Sequence, residues 1–240
     1  MKKLKIYLIS FLFAFIFYGN AVAGTGAATE YSITIYKIEL CDSTSTDSAC
    51  NGAVTIFEGD SGLIDIANTS AGAAAASLGN ASAATFNKSY TYMQITMHRG
   101  FTVKGSAADS SSTTCYTNEG EIGSAGMLSR GSADSSDLGS TTLYAAMIGT
   151  SVGDNLTGLT SLTDTSGVAG TIESDDLYFM YRQKLASTFT MAPGNIPSIK
   201  IAFGTSNAVG AVGDMDDNCN TISSSVGMYA AEPDVTVTID

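Results

Sequence analysis

Oxygen-bearing side chains recur at alternating positions in Asp214-Met215-Asp216-Asp217-Asn218, the spacing with which a calcium loop begins. Asp214, Asp216 and Asn218 are therefore the candidate metal ligands. The rest of such a loop is missing: Cys219 stands where the sharp turn needs glycine, and Ser225 where the bidentate glutamate belongs. The segment predicts either a calcium site of another geometry or, in preference, a solvated acidic turn beside a disulfide. Glu173-Ser174-Asp175-Asp176 is a second acidic cluster with the same two readings.

Two serine motifs invite a hydrolase reading and fail it. Gly149-Thr150-Ser151-Val152-Gly153 has the Gly-x-Ser-x-Gly form, which exposes a nucleophile on a strand-to-helix turn. The next residues, Asp154-Asn155-Leu156-Thr157-Gly158, are turn-like rather than helical, and the single histidine, His98, precedes the serine. Gly59-Asp60-Ser61-Gly62 matches part of the trypsin-like signature, but Leu63 replaces the second glycine and the order of serine and histidine is reversed. His98 itself reads as a partly exposed residue on the polar face of a strand. The sequence predicts no catalytic site and no cofactor. Tyr90, Tyr92, Tyr178 and Tyr181 could stack on a sugar or another ligand, although cross-sheet packing explains alternating aromatics more simply. Tryptophan is absent, which weighs against a typical sugar platform.

Cys41, Cys50, Cys115 and Cys219 are four in number, which in an exported chain favours two disulfides over metal ligation. Three pairings exist. The preferred one joins Cys41 to Cys50 around a Ser/Thr/Asp loop and Cys115 to Cys219 across distant segments. No Cys-x-x-Cys occurs, and one histidine is too few for a typical zinc set.

The elements that would hold these residues are strands. Tyr31 to Leu40 places Tyr31, Ile33 and Ile35 on one face and Tyr36, Ile38 and Leu40 on the other. A switch of buried side predicts a bulge near Tyr36, or a strand crossing between sheets. Tyr90 to Val103 reads as a strand with Met93, Ile95, Met97, Phe101 and Val103 on one side and Tyr92, Gln94, Thr96 and His98 on the other; Arg99 interrupts the apolar row at its edge. Further strands are predicted at 53–58, 62–67, 141–149, 176–182, 187–191, 198–203 and 235–239. The Ala-rich stretch 71–84, broken by Gly72 and Gly79, reads as a surface connection. The Ser/Asp/Gly-rich segments 105–114 and 129–140 read as exposed loops. Short strands without a long helix predict an all-β, Ig-like or Greek-key sandwich.

Residues 1–23 read as a secretion signal: Lys2, Lys3 and Lys5, an apolar run from Ile6 to Tyr18, and Ala21-Val22-Ala23 before Gly24. That run is shorter than the roughly 20 residues that span a bilayer. Residues 24–240 then form a single secreted domain, with an end point outside the cell, at its surface or in the periplasm. The full chain carries a formal charge of −12, and loss of three leader lysines makes the remainder more acidic still. Such a chain repels nucleic acid and anionic lipid. Hydrophobic residues make up 44%, enough for a packed core despite only 14% charged residues.

Tyr31–Cys41, ending in Lys-Ile-Glu-Leu-Cys, and Lys88–Val103 resemble a group of secreted, β-rich proteins of marine bacteria that have no established activity. This resemblance covers about the first third of the mature chain and implies export and a β-rich fold. Ser89 to Thr96 resembles a strand of transthyretin-like sandwich domains. The tail, with Gly227 followed by Val235-Thr236-Val237-Thr238-Ile239, resembles the C-terminal strand of chaperone–usher pilins, though Ile239 stands where those carry an aromatic residue. That likeness implies assembly by strand addition, with residues 29–40 as donor unless they form the first strand of their own sandwich. The sequence thus predicts a non-catalytic structural or surface-interaction protein that self-associates or meets an extracellular protein. The alternative is a module binding a glycan or another small ligand.

Overall fold

The computed structural model describes residues 24–68, 83–121, 123–124, 128–145, 153–192 and 199–239. The expected secretion signal 1–23, most of the Ala-rich connection and Ser151 lie outside the described residues. Within them the fold is all-β, with curled antiparallel sheets and one short 3-10 turn at Ser135–Asp137. In chain order the strands are β1 (Gly24–Gly26), β2 (Ala28–Asp42), β3 (Val54–Glu58), β4 (Leu63–Asp65), β5 (Ser89–His98), β6 (Gly100–Ala108) and β7 (Thr114–Tyr116). They continue as β8 (Thr141–Tyr144), β9 (Leu156–Leu159), β10 (Tyr178–Thr190), β11 (Ile199–Gly204), β12 (Val209–Val212), β13 (Gly227–Ala230) and β14 (Asp234–Ile239).

β2 is the spine. Its alternating Ile, Tyr and Thr residues favour extended backbone, and it is bonded on both edges. β3 and β4 lie along one edge, β5 and β6 along the other. The expected bulge is present at Tyr36: Ile35 pairs with Met97, whereas Lys37 pairs with Thr96, so one residue of β2 has no opposite number. Because strand faces alternate with period two, this extra residue rotates Ile38 and Leu40 back to the side of Ile33 and Ile35. All four are buried. Two cross-strand rows result, Ile35–Met97–Phe179 and Ile38–Ile95–Tyr181, every member buried.

The turn between β3 and β4 fastens the bulge. Tyr36 accepts a hydrogen bond from the Gly59 amide at 2.9 Å, and Ile35 accepts one from the Ser61 amide at 3.0 Å. The Ser61 hydroxyl oxygen accepts from the Ile35 amide at 2.8 Å and its proton goes to the Gly62 carbonyl at 2.8 Å.

The single strand expected over 90–103 is broken at Arg99, where the outer edge of the sheet changes partner. The Arg99 amide donates to the Leu177 carbonyl, leading into β10, while its carbonyl accepts from the Ala145 amide, leading out of β8; both bonds are 2.9 Å. Arg99 is not at an edge but fully buried. Its Nη1 donates to the Glu173 carbonyl at 2.5 Å and its guanidinium lies 5.5 Å from the Tyr144 ring centre. Burial lowers its pKa, opposed by the charges of Asp176 and Asp175.

Other boundaries also differ from expectation. Residues 105–108 belong to β6 rather than to a loop, and Ser129 is buried and bridges to Met228. The two runs at 176–182 and 187–191 form one strand, β10, whose register slips between Lys184 and Phe189. A three-stranded sheet (β1–β12–β13) packs on β6 and β8, and the pair β11–β14 lies against β10, so the smaller sheets cover the core side of the large one.

Both disulfides form as preferred, Cys41–Cys50 and Cys115–Cys219. They span sequence separations of 9 and 104 residues. On chain-entropy grounds the long one constrains the unfolded chain more, by roughly 4–5 kcal/mol in total for a loop of about 100 residues. Beside it, buried Asp109 accepts from the amides of Ser111 and Thr113 and, across the fold, of Met215, each at 2.9 Å. Burial pushes the Asp109 pKa up, but these hydrogen bonds outweigh it and hold the group below the usual carboxylate range. Its stabilisation is therefore fully present above about pH 4, the unfolded value, and is lost as pH falls through the lower folded value. Asp109→Ala should cost about 1–3 kcal/mol in urea unfolding at pH 7. The difference from wild type should shrink in acid; a constant difference would show that the carboxylate charge does not carry it.

Candidate functional site

The candidate ligands of the acidic turn serve the turn itself. Asp216, with φ of 67°, accepts from the Asn218 amide at 2.8 Å, the Asn220 amide at 3.2 Å and the Thr221 hydroxyl at 2.8 Å. The Thr221 hydroxyl and these amides lower its pKa. Asp214 accepts from the Asp216 amide at 3.1 Å. Asn218 and Asn220 instead border a shallow polar dip with 132–135. Among the described residues no group of three or more His, Cys, Asp or Glu side chains stands close enough to share a metal ion. In the second acidic cluster, Asp176 is buried and accepts from the Glu173 amide at 2.6 Å, shaping the loop that receives Arg99.

Ser61 and His98 are likewise engaged by backbone. Ser61 holds the bulge of β2, and His98 Nδ1 lies 2.9 Å from the Gly100 amide nitrogen, from which it accepts. The four tyrosines do not form one platform. Tyr90 is fully buried, stacked on Phe189 with its hydroxyl accepting from the Thr85 amide. Tyr92 and Tyr178 occupy the opposite, polar face, six residue positions apart in register, about 20 Å at strand rise. Tyr178 meets Tyr36 and His98 edge-on at 5.3 and 5.6 Å.

Tyr181 points the other way, into a cavity of about 480 Å³ between the sheets. The floor comes from the large sheet: Tyr31 and Ile33 on β2, Ile95 and Met97 on β5, Phe101 on β6 and Phe179 on β10. The cover comes from the smaller sheets, with Phe203 on β11, Tyr229 and Ala230 on β13 and Val235 on β14, closed by the corner Ala231-Glu232-Pro233. Met97, Phe101, Ala145 and Phe179 all flank the fork at Arg99, so the cavity occupies the place where β10 and β8 part. Three aromatic rings form a continuous wall: Phe101 lies 5.3 Å from Tyr31 and 6.1 Å from Phe179. Gly210 lies directly under the Tyr229 ring, with no room for a Cβ.

Polar groups gather at one end of this apolar space. The Tyr31 hydroxyl donates to the Ala231 carbonyl at 2.8 Å, tying the corner to the spine. The Tyr181 hydroxyl donates to Gln183 Oε1 at 2.6 Å. Burial first, and the Glu232 carboxylate second, push both phenols above their ordinary range. Neither ionises at neutral pH, so each presents a neutral oxygen whose proton is already committed. Sequence periodicity assigned Tyr31 and the isoleucines to a core face, but Glu232 carried no signal because its position depends on the turn before Pro233.

Comparison with protein-family models, curated proteins and solved structures finds no match for this chain. Ser61→Ala tests the placement of the serine. Leaving the Ile35 amide without its acceptor should cost about 1–2 kcal/mol of stability, read by thermal or urea unfolding. An unchanged midpoint would mean that Ser61 does not secure the bulge.

Proposed function

We propose that the protein is a non-catalytic, exported module that holds a small, largely apolar ligand between its sheets. The observation that carries this reading is the cavity of about 480 Å³, walled by aromatic and aliphatic side chains with a few polar groups at one end. That size and composition are typical of small-molecule sites, which run from about 300 to 1,000 Å³. Ser61 and Asp216 serve the fold, spending their oxygens on nearby backbone and hydroxyl groups.

The basic, apolar and small-residue order of residues 1–23 supports export, and two disulfides suit an oxidising compartment. Among the described residues no helix is long and apolar enough to cross a membrane. Assembly by strand addition would need residues 29–40 as a donor, and β2 is already bonded along both edges within its own chain. A ligand-binding role asks no strand to leave its sheet.

The neutral naphthylamine probe N-phenyl-1-naphthylamine should bind the protein, produced through an oxidising compartment, with enhanced fluorescence and saturable one-site behaviour. Ala230→Leu, which fills the cavity, should weaken binding at least tenfold with the melting temperature kept within a few degrees. Phe203→Ala, which enlarges it, should retain binding. Absence of saturable binding in the wild type, or identical binding in Ala230→Leu, would refute the cavity as a ligand site.

A further inference from the structure

The one charged side chain lining the cavity is the Glu232 carboxylate, set beside the neutral polar groups of Tyr31 and Tyr181. Tyr31 has committed its proton to the Ala231 carbonyl, and Tyr181 shares its proton between Gln183 and the Glu232 carboxylate. What remains available at each is an oxygen lone pair. Glu232 adds a carboxylate at the exposed rim beside them. No lysine, arginine or histidine lines the space. The guanidinium groups close in sequence to the lining are engaged elsewhere, Arg99 with the Glu173 carbonyl and the Tyr144 ring and Arg182 with the Thr157 hydroxyl.

Resting on the cavity reading above, we infer that the ligand is a cationic amphiphile: an apolar tail carrying an ammonium head, set against the Tyr31–Tyr181–Glu232 end. An ammonium group supplies donors to the two phenol oxygens, a countercharge to Glu232, and a cation for the tyrosine faces. A fatty acid of equal length would bring a carboxylate to a site whose side-chain donors are neutral groups such as Asn207 and Thr25, with no cation to receive it and a like charge at the rim. The formal charge of −12 on the whole chain raises the local concentration of cations around the protein. By itself that field would not distinguish this site from the rest of the surface, so the role of Glu232 must be measured directly.

Decylammonium, decanol and decanoate share a tail and differ only in the head. Each is titrated at pH 7.5 and 0.15 M salt against the protein loaded with N-phenyl-1-naphthylamine. Decylammonium should displace the probe at concentrations at least tenfold lower than decanoate, with decanol between them. In Glu232→Gln the preference should fall to threefold or less while the affinity for decanol stays unchanged. Equal displacement by all three, or a preference for decanoate, would overturn the charge inference and leave the cavity reading standing. A preference for decylammonium that survives undiminished in Glu232→Gln would also overturn it, by assigning the effect to the overall field. Failure of the probe itself to bind would bring down the cavity reading and this inference together.

Discussion

A single unpaired residue, Tyr36, decides which side of the longest strand meets the core. Strand faces alternate, so without this bulge Ile38 and Leu40 would face away from Ile95 and Met93, their present partners. Burying such side chains is worth about 1.5–3 kcal/mol each, and both cross-strand rows pass through this register. The phase of β5 and β10 is set against β2, so the inward direction of Met97, Phe179 and Tyr181 depends on the same residue. The Gly59–Gly62 turn takes up the backbone groups that the bulge displaces. A motif resembling part of a protease signature thus works as a clasp.

The second constraint is the fork at Arg99. A strand that trades one edge partner for another cannot keep its neighbours parallel to each other beyond that point. Side chains on either side of the junction splay, and small sheets must cover the gap. β11, β13 and β14 do so without filling it, and Tyr31 anchors their corner through Ala231. Burying Arg99 with Nε and Nη2 unpartnered is costly. The ring of Tyr144 and the charges of Asp175 and Asp176 offset part of that cost. Splitting the sheet and lodging a guanidinium at the split are two aspects of one arrangement.

Much of this was legible in the sequence, for definable reasons. The phase change in Tyr31–Leu40 announced the bulge because β-branched and aromatic residues marked both faces. Disulfide pairing followed from an even count and from the short Ser/Thr/Asp loop between Cys41 and Cys50. β12 (Val209–Val212) escaped notice, and β9 (Leu156–Leu159) corrects the turn-like reading of Asp154–Gly158: four residues containing glycine show no period, and their pairing is set by distant partners. Arg99 looked like an edge residue because charge within an apolar row normally marks exposure. The cavity was not legible at all, since its walls come from nine strands and a corner whose proximity only the topology creates.

The order of strands in space has a consequence for how the chain reaches its folded state. β1 and β2 leave the ribosome before any other strand, yet β2 sits in the middle of the large sheet and β1 pairs only with β12, at Val209–Val212. β2 can meet β3 and β4 as soon as they follow, but its other edge waits for β5 and β6, β1 waits for β12, and Cys115 waits for Cys219. Chains dominated by such distant pairings fold slowly. A chain that completes its outer pairings late stays threadable for longer, a property in keeping with the export proposed above.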